Sequence, residues 1–204
     1  ADCLWGGGRA GFGEDHAQDV LTLMQKYGIS ARLTFSNSLL REEHLSDKKC
    51  NALCALFENA MPDQDFSFNK ENGVIVHSDL LVEYLKRNYP KLYLVSSTTK
   101  VLTDFDALIE EVNRKDFRYV VPDFRLNKAF DRLAGMTEEQ KDKVEFLVNE
   151  CCYIGCTDRK KCYEAVSRKN LGERTQHICN APEAGSGYLF SKAMKNPSFI
   201  GIEE

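Results

Sequence analysis

Two short runs, Val74-Ile75-Val76 and Tyr119-Val120-Val121, are apolar at consecutive positions, and this limits the fold more than any other feature. A strand with one wet face alternates polar and apolar residues. Consecutive apolar residues imply burial on both faces, as in a parallel sheet covered by helices. Seven runs read as strands: Asp2–Trp5, Ser30–Phe35, Gly73–His77, Leu92–Ser96, Arg118–Pro122, Val144–Asn149 and Ser198–Ile202. Helical patterns follow them at Asp15–Lys26, ending at Gly28, from Asp47 through Glu58, and at Leu80–Arg87 behind Ser78 or Asp79. Others fall at Asp106–Arg114 behind Thr103 and Asp104, from Thr137 to Lys143, and at Arg159–Ser167 and Ser186–Lys195. Capping residues at the starts and glycine at a stop fit helix ends. Strand–helix alternation predicts a mainly parallel α/β fold, a TIM-like (β/α) barrel that is incomplete by one strand. An open doubly wound sheet is the alternative.

The expected organisation is one domain over residues 1–204 with a cysteine-rich insertion at about 150–187. The formal net charge of −4 gives no broad attraction for phosphate backbones or anionic lipid, so neither DNA nor a membrane is expected as a partner. A local basic patch leaves RNA open beside peptides and small molecules, and a partner protein is compatible with the pattern. No apolar run reaches the roughly 20 residues of a membrane span, and no signal peptide is visible at Ala1–Trp5. Five of the eight cysteines fall between Cys151 and Cys179. That clustering points to metal or redox chemistry rather than scattered bridges, and with the α/β pattern it predicts a cytoplasmic protein.

In a parallel barrel the site lies at the carboxyl ends of the strands, which turns the strand assignments into a set of candidates. Gly6-Gly7-Gly8-Arg9 follows the first strand, and Arg9 is a candidate for an anionic group. Ser36 and Asn37 follow the second strand, His77 the third, Ser96 to Thr99 the fourth, Asp123 and Arg125 the fifth, and Asn149 and Glu150 the sixth. Glu150, Asp123 and His77 are the acid–base candidates. Arg9, Ser36, Asn37, Arg125 and Asn149 are the candidates for holding substrate. Lys100 is the nearest lysine to a strand end, which weakens a Schiff-base reading.

The strongest chemical signal is Cys152, Cys156, Cys162 and Cys179, a C-x3-C-x5-C-x16-C series interrupted by Arg159, Lys160 and Lys161. Four thiolates suit an iron–sulfur cluster or, as the alternative, a tetrahedral zinc ion. Neighbouring cations favour thiolates. Cys50 and Cys54 share an apolar helix face and are expected in the core, as is Cys3; Cys151 is expected in the wall. His177 is close enough to Cys179 to replace a ligand. His16 and His44 read as surface or local packing.

Val148-Asn149-Glu150, Cys152-x3-Cys156, Arg159, Cys162-Tyr163 and Pro197-Ser198-Phe199-Ile200 together resemble the U32 family, the collagenase-like peptidases. The resemblance implies a barrel core and, as in several members, a four-cysteine iron–sulfur cluster linked to hydroxylation of RNA bases or of a quinone precursor. Two rival readings stand beside it: a non-catalytic, zinc-stapled barrel used for binding or assembly, and a metal-free barrel lyase or isomerase with inert thiols.

Overall fold

In the computed structural model, residues 3–6, 17–59, 71–150, 152–179 and 200–201 are described. Four strands form one sheet: β1 (Arg32–Phe35), β2 (Gly73–Val76), β3 (Tyr93–Ser96) and β4 (Tyr119–Val120). They lie in the order β1-β2-β3-β4 and every pair is parallel. Chain order equals spatial order because each strand is followed by a helical crossover to its neighbour. The helices are α1 (Ala17–Lys26), α2 (Lys48–Asn59), α3 (Asp79–Asn88), α4 (Phe105–Asn113), α5 (Phe130–Ala134), α6 (Glu138–Asp142) and α7 (Arg159–Asn170).

The helix starts follow the capping chemistry in the sequence. Asp47 Oδ1 accepts from the Cys50 amide, Asp104 caps α4 through the Ala107 amide, and Thr137 with Gln140 forms a reciprocal box at α6. Gly28 stops the chain after α1 at φ 64°, a conformation that only glycine adopts without strain. The short helix α5 carried no periodic signal. The expected helix Ser186–Lys195 and the Gly7-Gly8-Arg9 turn lie outside the described residues.

Two of the seven expected strands differ from the sequence reading, and a third falls mostly outside the described residues. Val144 makes a single parallel bridge to Val120, and no strand continues from it. Pro122 has no amide hydrogen with which to extend the ladder, and the Leu147 carbonyl is taken by the Asn127 side chain at 2.9 Å. Cys3–Gly6 is not a strand, although the Trp5 carbonyl accepts from the Asn37 amide beyond β1. Most of Ser198–Ile202 lies outside the described residues; the Ile200 amide donates to Val148. A four-stranded parallel sheet with helices is therefore established, and a closed barrel is not.

One face of the sheet presents Leu33, Phe35, Val74, Val76, Leu94 and Val120 to the helices, where Leu21, Cys50, Cys54, Leu81, Val82, Leu85, Leu108 and Val112 complete the core. Trp5 is fully buried in it, edge-on to Phe35 and Tyr84, and its indole N–H donates to His44 at 2.7 Å. Cys50 and Cys54 are core residues as expected, while Cys3 is only partly buried.

The opposite face departs from the expectation of apolar burial on both sides. Ile75 and Val95 lie there, but Arg32 forms a paired contact with Glu145 and stacks over Tyr93 and Tyr119. Arg32 Nε and the Ser30 hydroxyl meet at the Tyr93 hydroxyl, and Arg118 lies over the same ring. Gly73 gives that ring its room: a Cβ at position 73 would stand 2.5 Å from Tyr93 Cε2. The ring is held by three partners and cannot swing away cheaply. Gly73→Ala is expected to lower stability by about 1–3 kcal/mol, the usual range for overpacking. Denaturant unfolding of Gly73→Ala, Tyr93→Leu and the double variant checks this. The two changes should be strongly non-additive, because the clash disappears with the ring.

Candidate functional site

The carboxyl ends of the strands gather most of the polar residues singled out in the sequence, and α7 lies across them. Its first turn meets the end of β4, the helix packs on the 98–100 turn after β3, and its last turn reaches the end of β1. Arg159, the first residue of α7, is 4% exposed. Its guanidinium donates to Glu150 Oε2 at 2.7 Å, lies 3.5 Å from Asp123 Oδ2 through Nε, and packs over the rings of Phe124 and Tyr163. A charge that deep is tolerated only when it is paired. Burial works against its positive charge, but the Glu150 bond, the charges of Tyr163 and Glu150 and the Cys152 contact together outweigh it, so its pKa is raised.

Asp123 is buried at the end of β4 and is held twice. Arg125 forks onto it through Nε at 2.6 Å and Nη2 at 2.9 Å, and the Arg125 amide bonds to Oδ1. The remaining arm of Arg125 donates to the Cys156 carbonyl at 2.8 Å. Glu150 Oε1 meanwhile accepts from the Cys152 amide at 2.9 Å. Two carboxylates and two guanidinium groups thus tie the end of β4 to the loop carrying the cysteines. Asp123 and Glu150, read from sequence as acid–base groups, are engaged in positioning this loop.

Asn37 is fully buried, and its side chain is bonded to the protein. Its Nδ2 donates to the Leu4 carbonyl at 2.7 Å and is 3.4 Å from the Ser167 carbonyl of α7, while its Oδ1 accepts from Leu39. Ser36 beside it is buried, and Asn149 is exposed. The Ser38 amide donates to Ser167 Oγ, and Asn170 bonds to the Gly6 carbonyl. Lys100 is paired with the buried Glu111 at 2.6 Å, which also accepts from Ser96. Arg9 lies outside the described residues.

His77, at the end of β2, is the acid–base candidate left without a salt bridge among the described residues. Its Nδ1 shares a hydrogen with Thr99 Oγ1 at 2.8 Å, and that hydroxyl contacts Ser97 Oγ at 2.9 Å. Burial, then the charges of Lys100 and Lys160, push its pKa down to about 4 despite Asp79 and Glu111. The imidazole is therefore neutral at physiological pH.

The four predicted cysteines all belong to this end of the molecule. Cys156 is buried, Cys152 and Cys162 are half-buried, and Cys179 is exposed. Cys162 Sγ is 3.0 Å from His177 Nε2 and within hydrogen-bonding reach of Cys179, and it feels the charge of Cys156. Cys152 lies against Arg159 and feels Cys156. Burial pushes Cys152 up to about 11, with Arg159 opposing, and burial with Cys179 and Cys156 raises Cys162. Among the described residues, no three Cys, His, Asp or Glu side chains close round one point as a single metal ion needs. The expectation of four sulfurs meeting at one point is not met among the described residues: Cys162 contacts His177 and Cys179, and Cys152 lies against Arg159. Sequence spacing pointed to His177 beside Cys179, but its contact with Cys162 and the anchoring of Glu150 by Arg159 come from the way α7 docks.

A cavity of about 470 Å³ lies at the other end of the sheet, lined by Lys86, Tyr93, Asp116 and Arg118 among others. Of its charges, Lys86 is paired with Asp116 and Arg118 with Glu71. The charges that converge from several elements are at the carboxyl ends of the strands.

The chain aligns with a solved U32 peptidase structure, Mk0906, at a TM-score of 0.57, covering 91% of this chain and 73% of that one at 16% identity. Its fold resembles that of a U32 peptidase. No family model and no curated protein matches the chain. The U32 resemblance read from the sequence motifs thus has a counterpart in three dimensions. Among the described residues, no helix is long and apolar enough to cross a membrane.

Two outcomes follow. Arg159→Met is expected to cost about 3–5 kcal/mol in denaturant unfolding, because the largely buried Glu150 loses its cation and Asp123 keeps only Arg125. Arg159→Lys should recover only part, since a single ammonium cannot reach both carboxylates. For His77, whose folded pKa lies below its ordinary 6.5, stability is complete above pH 6.5 and falls as the pH drops from there towards 4. The total is about 3 kcal/mol for this residue. Comparing the pH dependence of unfolding in the wild type and His77→Gln isolates that slope.

Proposed function

We propose that the chain is a U32-like enzyme whose sheet belongs to a (β/α) barrel, with an iron–sulfur cluster held by Cys152, Cys156, Cys162 and Cys179 at the carboxyl ends of the strands. The supporting observation is the set of thiols gathered near Arg159: Cys152 lies against its guanidinium, and Cys162 is within hydrogen-bonding reach of Cys179. Thiols whose pKa values are raised by burial and by one another need a cationic centre to ionise together. A cluster, whose ligands each bind a different iron, does not require four sulfurs to meet at one point as a tetrahedral ion does. Such a cluster would supply one-electron redox chemistry. Arg159, at the Cys152 sulfur, would set the charge and hydrogen bonding around it.

The protein's own groups have separate tasks in this reading. Asp123, Arg125 and Glu150 position the cysteine loop, and neutral His77, backed by Thr99, is the group free to take or give a proton at the strand ends. The substrate is an anion, with RNA ahead of peptides and small molecules. The basis is α7, which presents Lys160, Lys161, Arg168 and Lys169 exposed over this face of an otherwise acidic chain.

Anaerobic purification followed by iron, acid-labile sulfide and zinc analysis with an absorbance spectrum tests the cluster. Iron with sulfide is expected, lost in Cys156→Ser and retained in His177→Ala. Zinc alone, dependent on His177, would support a zinc-stapled binding module instead, and absence of both metals would leave a metal-free barrel. For the substrate, Lys160→Glu with Lys169→Glu should weaken binding of single-stranded RNA and flatten its salt dependence by about two phosphate contacts. Unchanged binding would remove RNA from the proposal.

A further inference from the structure

Away from the proposed cluster, a second group of thiols lies where the amino-terminal segment meets α2. Cys3 Sγ and Cys50 Sγ are 3.2 Å apart, and Cys54 lies one turn further along the same helix. Cys50 and Cys54 are fully buried, whereas Cys3 is partly accessible. The two facing sulfurs are far apart in sequence and come from different elements, so neither local spacing nor a shared helix face brings them together. We propose that Cys3 and Cys50 form a reversible thiol–disulfide site that reacts with small-molecule disulfides, Cys3 attacking and Cys50 resolving.

The division of labour follows from the surroundings. Cys3 is within reach of solvent, and its pKa is lowered, first by the hydrogen bond from Cys50 and then by the amides of Trp5 and Gly6 and the charge of Lys49, against burial. Cys50 is raised by the same contact and by burial, and Cys54 is pushed up to about 12 by burial. A thiolate that is accessible beside a buried thiol is the arrangement of an attacking and a resolving cysteine. The Cys3 thiolate attacks one sulfur of the small disulfide, forming a mixed disulfide and releasing one small thiolate. Cys50 then loses its proton and attacks Cys3 Sγ, releasing the second small thiolate. The protein gives up two electrons and two protons, and the small disulfide is reduced to two thiols. The sulfurs need only close from 3.2 Å to a bond of about 2.05 Å.

The bond would fix a segment that other parts of the molecule lean on. The Leu4 and Trp5 carbonyls accept from Asn37 beyond β1, and the Gly6 carbonyl accepts from Asn170 at the end of α7. Oxidation at Cys3 thus ties α2 to the strap on which α7 rests. This site is independent of the cluster reading: its four cysteines are different residues.

The test is incubation of the full chain, as isolated, with oxidised glutathione, followed by non-reducing peptide mapping. A peptide joining Cys3 to Cys50 is expected, opened again by dithiothreitol. In Cys50→Ala the reaction should stop at a glutathione adduct on Cys3, and in Cys3→Ser Cys50 should stay unmodified because it is buried. An adduct on wild-type Cys3 without closure, a bond from Cys3 to Cys54, modification of Cys50 in Cys3→Ser, or reaction at exposed Cys179 alone would each overturn the proposal. The wild-type map decides the matter even if a variant fails to fold. Retained iron in the oxidised protein, measured alongside, separates this outcome from failure of the cluster.

Discussion

A guanidinium buried at the start of α7 governs the arrangement of everything near it. Arg159 cannot keep its charge in the interior without carboxylates, and its planar fork requires them at fixed angles. Glu150 and Asp123 supply them from two different places, the cysteine loop and the end of β4. Phe124 and Tyr163 close over the plane of the cation and keep water out. Once Arg159 is seated, the position of α7 is fixed, and with it the cysteines and the basic surface above the strand ends. Arg125 extends the same logic by spanning Asp123 and the Cys156 carbonyl.

The docking of α7 also decides which strand-end residues remain available for chemistry. A polar residue after a parallel strand is in the right place to meet a ligand, but it is equally in the right place to seat a helix. Asn37 spends its amide on Leu4, Leu39 and Ser167, and Ser38 spends its amide on Ser167. Lys100 and Ser96 converge on Glu111. His77 keeps a neutral ring with a hydroxyl partner, because burial and two lysines together make its protonation unfavourable. The end of the sheet is thus a scaffold in which His77, among the described acid–base candidates, has no salt bridge.

The parallel sheet was legible in the sequence because two-sided apolar strands leave few alternatives, and Val74-Ile75-Val76 and Val120 occupy the positions that pattern requires. Helix ends were legible where a capping side chain acts on its own amides, as at Asp104 and Thr137. The strand expected at Val144–Asn149 failed for a reason outside its own composition: its partner strand ends at a proline, and a side-chain amide takes the next carbonyl. The polar side of β1 was equally hidden, since Arg32 is stable there only because Glu145, Tyr93 and Tyr119 arrive from elsewhere in the chain.

By itself, then, the sequence determined the parallel strand–helix alternation, the burial of Cys50 and Cys54, and the presence of four further cysteines beside a cationic run. These are local properties, carried by periodicity, capping and spacing. Only the tertiary structure decided that Arg159 pairs with Glu150 and Asp123, that Cys162 meets His177, and that Cys3 faces Cys50 across 47 positions of chain. Each of these contacts joins elements whose separation in sequence says nothing of their separation in space. Each exists because burying a charge, or docking a helix on strand ends, leaves a polar group that must find a partner.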